Sequence, residues 1–206
     1  FSIVSYTGTG ANATVGHGLS QPEMVIVKNR SATGHWFVYN KDVGNTKAVY
    51  LNLTNAEGTT TAWNNTTPSS NVFSLGTSIA VNANSETYIA YCFHSVDGYS
   101  KVGSYTGNGS TDGTFVYTGF KPAYVMQKRT DVANDWDIYD SKRDTYNVAG
   151  KELYANLSSA EGAADRIDFT SNGFKIRASN AALNASGGTY IFLAFAESPF
   201  KHSTAR

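Results

Sequence analysis

The chain has 206 residues, sixteen basic against sixteen acidic, for a formal net charge of zero; this excludes the basic field that draws a protein to phosphate backbones, so no nucleic-acid partner is expected. Charged residues make up 16% and aromatics 13%, against a usual charged share of about a quarter, and the surface should be polar without being ionic, as on extracellular or virion β-proteins. One cysteine leaves no internal disulfide framework, and no apolar run reaches the roughly 20 residues of a membrane helix, so no membrane insertion is expected.

The chain opens with Phe1-Ser2-Ile3-Val4-Ser5-Tyr6, a β-rich segment stopped by Thr7-Gly8-Thr9-Gly10, where glycine permits the positive φ of a turn. The start at Phe1 reads as a piece of something longer. After Pro22 comes Met24-Val25-Ile26-Val27-Lys28, an apolar run of strand length, then His35-Trp36-Phe37-Val38-Tyr39-Asn40. Tyr50-Leu51-Asn52-Leu53 runs into a polar loop, Thr59 to Ser70, that carries Trp63-Asn64-Asn65. Val72-Phe73-Ser74-Leu75 and a closing strand, Thr87-Tyr88-Ile89-Ala90-Tyr91-Cys92-Phe93, finish the segment.

The same phrases then return. Ser104-Tyr105-Thr106-Gly107-Asn108-Gly109 matches the opening, Lys121-Pro122-Ala123-Tyr124-Val125-Met126 the second run, and Asp135-Trp136-Asp137-Ile138-Tyr139-Asp140 the third. Tyr154-Ala155-Asn156-Leu157, Gly173-Phe174-Lys175-Ile176 and Thr189-Tyr190-Ile191-Phe192-Leu193-Ala194 complete the second copy. Apolar residues never hold the helical i, i+3, i+4, i+7 spacing for three turns, while β-branched and aromatic residues crowd between Gly, Asn and Ser turns. The expected fold is all-β: two tandem homologous β-sandwich repeats, jelly-roll-like, at 1–98 and 99–206, each of seven or eight strands and packed with a pseudo-twofold relation.

Period-two alternation puts Trp136 and Ile138 on one face and Asp135, Asp137 and Tyr139 on the other. If carboxylates face water, Trp136 faces the core, and by equivalence so do Trp36 and Val38. The copies differ in two loops: the first is longer around Trp63, the second between Tyr139 and Tyr154, where Lys142 to Asn147 sit. Diverging loops on a shared framework are where specificity is expected.

No nucleophile, base and orienting group come together, and no enzymatic activity is expected. Cys92 alternates with Ala90 on the closing strand and is matched by Ala194, so it reads as a small core filler. His17, His35, His94 and His202 have no counterparts and read as solvated or singly hydrogen-bonded. Asp135, Asp137 and Asp140 supply oxygens of the kind Ca²⁺ takes, without the glycine and distal Glu of the helical calcium loop; the first reading is an exposed acidic strand, and no cofactor is assigned. Glu57 and Glu161 occupy matched loops and suggest a turn role rather than a glycosidase pair.

Sugar binding suits the composition better, because aromatic faces stack on pyranose rings while amides and hydroxyls serve the hydroxyl groups. The candidates are Trp63 with Asn64 and Asn65, then Tyr39 and Tyr139 as outward-facing rings, and Tyr146 in the second variable loop. For Trp63 the alternative is a staple holding its loop to the sandwich.

The phrases Gly119-Phe120-Lys121-Pro122, Trp136 with Tyr139-Asp140, Ser171-Asn172-Gly173-Phe174 and Asn184-Ala185-Ser186-Gly187-Gly188-Thr189-Tyr190, with the Ser104 to Gly109 segment, resemble a repeat module of tailed-bacteriophage virion proteins, found in tails, fibres and appendages. The first copy departs from the pattern at Glu86, where the second has Gly188, and at His94, where it has Ala196. The resemblance implies a virion or extracellular structural protein, a homo-oligomer among other virion subunits, contacting neighbouring subunits or host surface polysaccharide. A carbohydrate-binding module of a secreted protein, which would lose saccharide affinity on Trp63→Ala, is the alternative, and a glycan hydrolase the third reading.

Overall fold

The computed structural model describes residues 1–199; His202 lies outside them. The chain divides into two compact units, Phe1–His94 and Ser95–Arg206. The division falls ahead of the expected 98/99 boundary because Val96 pairs with Ser100 in a tight antiparallel bridge, which ties the turn to the strand after it.

The first unit holds β1 (Ser2–Thr7), β2 (Ala13–Gly16), β3 (Met24–Asn29), β4 (Phe37–Asn40), β5 (Lys47–Tyr50), β6 (Gly58–Thr59), β7 (Val72–Leu75), the single turn α1 (Ile79–Asn82) and β8 (Thr87–Phe93). The second holds β9 (Ser100–Thr106), β10 (Phe115–Tyr117), β11 (Pro122–Arg129), β12 (Trp136–Asp140), β13 (Leu153–Tyr154), β14 (Ile167–Thr170), β15 (Gly173–Ile176), α2 (Ala181–Asn184) and β16 (Thr189–Ala196). The protein is all-β, built from antiparallel sheets. In the first unit the large sheet runs β1-β8-β3-β4-β5-β6 and the small one is β2-β7; in the second the large sheet runs β9-β16-β11-β12-β13 and the small one β10-β15-β14.

Each unit is sandwich-like, since one apolar cluster draws on both of its sheets. Val25, Val27, Phe37, Tyr39, Tyr88, Ala90 and Cys92 from the large sheet of the first unit meet Phe73 and Leu75 from the small one. In the second unit Tyr105, Val125, Tyr139, Phe192 and Ala194 meet Val116, Phe169, Phe174 and Ile176. Cys92 and Ala194 are both fully buried in these clusters, as the size match of their side chains implied.

Both units close the sandwich with the same device. A tyrosine pair stacks across the first and last strands, Tyr6 on Tyr88 at 5.2 Å and Tyr105 on Tyr190 at 4.8 Å. The last-strand tyrosine anchors the single-turn helix: Tyr88 Oη donates to Ile79 O at 2.8 Å, and Tyr190 Oη to Ala181 O at 2.9 Å. The helical asparagine then holds the opening turn, Asn82 Oδ1 accepting from Thr9 N at 2.8 Å and Asn184 Oδ1 from Asn108 N at 2.9 Å.

One expectation about faces is overturned. Asp137 and Tyr139 point into the core, each 1% exposed, and Trp136 is buried on the opposite face of β12. In β4, likewise, Phe37 and Tyr39 lie in the core cluster, while Val38 is buried on the other face and Trp36 stacks on Tyr91 there. The premise that a carboxylate must meet water fails at Asp137, which is held by Gln127 Nε2 at 2.9 Å. Since residues on both faces of these strands are buried, alternation alone does not say which face meets the small sheet.

Candidate functional site

The longer connection of the second unit, from β12 to β13, is fastened at several points. Asp140 Oδ1 accepts from the backbone N of Lys142 at 2.6 Å and starts the turn. Asp144 Oδ2 accepts from Gly150 N at 2.8 Å and Lys151 N at 3.2 Å and closes it. Arg143 donates to Lys151 O and to Glu161 Oε2, both at 2.8 Å. Asn147 pairs with the backbone of Phe169 through both ends of its amide, at 2.9 Å each. Between these anchors Tyr146 is left 84% exposed.

Beside this loop lies a cleft of about 170 Å³, lined by Lys121, Ser141, Asp144, Tyr146, Asn147 and Glu197 among others. It falls well below the roughly 300–1,000 Å³ of a site that engulfs a cofactor. Lys121 Nζ and Glu197 Oε2 pair at 2.8 Å, and this bond to the lysine holds the Glu197 carboxyl below its ordinary range. Ser141 Oγ is buried with no hydrogen-bond partner among the described residues. An exposed ring beside hydroxyl, amide and carboxyl groups suits a polar ligand with apolar faces.

The core of the same unit holds two sets of buried polar groups. Glu152 accepts from Tyr139 Oη at 2.8 Å, from Arg166 Nε at 2.9 Å and from Tyr154 Oη. Tyr105 Oη reaches Gln127 Oε1, and Gln127 passes the chain on to Asp137. Burial first, and then the charge of Glu152, push the Asp137 carboxyl up to about 8. Burial likewise brings the Lys128 ammonium down to about 8. In the first unit the register position of the Gln127–Asp137 pair is taken by Val27 and Phe37, so the fold itself does not call for polar groups there.

The sequence-derived candidates scatter. Trp63 is 2% exposed; its Nε1 donates to Lys47 O at 3.0 Å and its ring packs edge-on against Tyr39 at 5.9 Å. It is a staple, and its faces are not open to a sugar. Tyr39 and Tyr139, 2% and 1% exposed, are core residues rather than outward rings, because the face assignment was inverted. Asn64 and Asn65 are exposed, both at φ 49°, a left-handed turn that asparagine tolerates; the ring meant to accompany them is inside. Asp135, Asp137 and Asp140 do not form a Ca²⁺ site. Asp135 accepts from Asn156 Nδ2 at 2.6 Å, Asp137 is in the core and Asp140 caps a turn, and no cluster of three or more metal-ligating side chains occurs among the described residues.

Tyr146 alone of the ring candidates stands in solvent. Lys121 and Glu197 were missed because they meet only through the pairing of neighbouring segments, Glu197 N donating to Lys121 O at 2.9 Å. Glu152 was missed because its partners come from three separate segments. His17 is buried, not solvated, and engages Ser69 O at 3.2 Å and Leu19 N at 3.1 Å.

Fold and site together define a β-sandwich-like protein with its exposed chemistry on loops. Residues 1–199 match a family described as a domain of unknown function (DUF7483), and the chain belongs to that family. The match spans both units. No curated protein and no solved structure matches the chain.

Proposed function

We propose that this chain is a structural and adhesive component of a bacteriophage virion, a module of a tail, fibre or surface appendage, which touches a host surface glycan through the Tyr146 cleft. The repeated strand order and tyrosine–helix closure of the two units support the duplication inferred from the sequence. The observation that carries the glycan contact is Tyr146, a large ring held in solvent on a loop whose flanks are pinned by side-chain hydrogen bonds. Pinned flanks lower the entropy a loop loses on binding.

The same cleft serves a carbohydrate-binding module of a secreted protein, so the parent assembly separates these two readings. A hydrolase is less well supported: Asp137 and Glu152 are 1% and 5% exposed and already hydrogen-bonded to Gln127, Tyr139 and Arg166.

The test is a glycan array run with wild-type protein and Tyr146→Ala, together with mass spectrometry of purified particles. Loss in the variant of binding to at least one array glycan, at unchanged thermal stability, and detection of the chain in particles are the expected results. A variant that binds every array glycan as well as wild type removes the cleft from the account, and absence from particles removes the virion.

A further inference from the structure

The small sheet of the second unit carries a feature that the fold does not require. In β10, Val116 points into the core, while Phe115 and Tyr117 point outward, 45% and 65% exposed. The corresponding strand of the first unit, β2, has Val15 packed on the core and paired with Phe73, just as Val116 pairs with Phe174. Its outward residues at the places of Phe115 and Tyr117 are Thr14 and Gly16. A threonine and a glycine thus suffice there to build the strand, so the sheet itself does not call for the two rings on β10.

We propose that the outward face of β10-β15-β14 is a second saccharide-binding platform, taking an uncharged oligosaccharide that lies across Phe115 and Tyr117. It shares the ligand class proposed for the Tyr146 cleft and rests on that reading in this respect only, since no residue is common to the two. The geometry of the face sets the choice of ligand.

Two residues apart on one strand, Phe115 and Tyr117 have Cα atoms about 7 Å from each other. Phe115 leans toward the neighbouring strand at Gly173, where a Cβ atom, if the residue had one, would lie 3.1 Å from the Phe115 Cζ and 2.1 Å from Val116 O. The missing side chain leaves room for the ring, which stays 45% exposed. Register places Lys175 and Asp168 in the row of Phe115, and Gly173 and Thr170 in the row of Tyr117.

The surrounding charges are already matched. Lys175 Nζ pairs with Asp112 Oδ1 at 2.6 Å, and Arg177 Nε with Asp168 Oδ2 at 3.5 Å. Such a face has no net field for an anionic polymer, yet it offers donors and acceptors beside two apolar faces, the combination a hydroxylated ring with C–H faces needs. Strand addition by another chain is disfavoured, because β10 is three residues long and its rings project from the sheet face rather than along its free edge.

The experiment is affinity electrophoresis of the whole protein in gels containing β-glucan, galactan, mannan or dextran, using wild type, Phe115→Thr/Tyr117→Thr and Tyr146→Ala. Retardation by at least one polymer is expected, weakened about tenfold or more in the double variant and retained in Tyr146→Ala. Amide shifts of wild-type Phe115, Tyr117 and Gly173 on titration with the retarding polymer check the surface without relying on a variant. Equal retardation of wild type and double variant, or no retardation by any polymer, overturns the platform. If Tyr146→Ala alone abolishes retardation, the cleft stands and the platform falls. Sedimentation showing that wild type self-associates and the double variant does not reassigns the face to contact between copies, and overturns the proposal.

Discussion

Burial, more than any neighbouring charge, keeps the Asp137 carboxyl protonated to about 8. The unfolded chain gives up that proton near the ordinary aspartate value of 3.8. Between these two values the folded state holds a proton that the unfolded state has lost, so this residue makes stability fall as pH rises from about 4 to about 8 and adds no slope beyond. Asparagine still accepts from Gln127 but has no proton to lose. Asp137→Asn is therefore expected to gain in melting temperature relative to wild type as pH goes from about 4 to about 8, by several degrees; parallel melting curves for the two proteins over that range exclude the assignment. Trp63 is a second case decided by one side chain's surroundings. Trp63→Ala should cost about 3–5 kcal/mol of unfolding free energy, read by urea denaturation, whereas Tyr146→Ala should stay within about 0.5 kcal/mol of wild type.

At the scale of elements, the opening turn of each unit is locked to the single-turn helix. Gly107 leaves room that no other residue leaves: an added Cβ would stand 2.3 Å from Ala185 O, and at Gly8 it would stand 2.1 Å from Ala83 O. Gly107→Ala must push the turn away from α2 and strain the bonds from Asn108 N to Asn184 Oδ1 and from Gly109 N to Asn184 O. A loss of about 1–3 kcal/mol is expected, with faster amide exchange at Asn108 and Gly109; unchanged exchange there contradicts a lock. The turns were legible in the sequence as glycine pairs. The reason for the first glycine of each pair was not, because it lies in a backbone approach between segments more than seventy residues apart.

For the whole molecule, zero net charge and a sequence pI near 7.1 leave little long-range attraction for any charged ligand. Saccharide affinity, at the cleft or on the platform, should therefore change little between about 0.05 and 0.5 M NaCl, a range over which screening weakens charge-driven contacts markedly. Isothermal titration at the two salt concentrations checks this, and a tenfold loss in high salt points to an anionic ligand instead. The two units present unequal surfaces on a common five-strand order, β1-β8-β3-β4-β5 and β9-β16-β11-β12-β13: Thr14 and Gly16 against Phe115 and Tyr117 outside, Val27 and Phe37 against Gln127 and Asp137 inside. The proposed recognition chemistry thereby falls in the second unit.

Local sequence sufficed for the all-β class and for most of the strands and the turns between them, because period-two runs and Gly-Asn punctuation act within a few residues. It also sufficed for the buried place of Cys92, through its match with Ala194, and for the exposed place of Tyr146 on its longer loop. It did not suffice for which face of β4 and β12 turns to the core. Residues on both faces of these strands are buried, and only packing against the small sheet selects one. Asp137, Tyr139 and Tyr39 went inside and the cleft gathered Lys121, Ser141 and Glu197 for the same physical reason: burial and hydrogen-bond pairing are settled between segments distant in the chain, where no local pattern reaches.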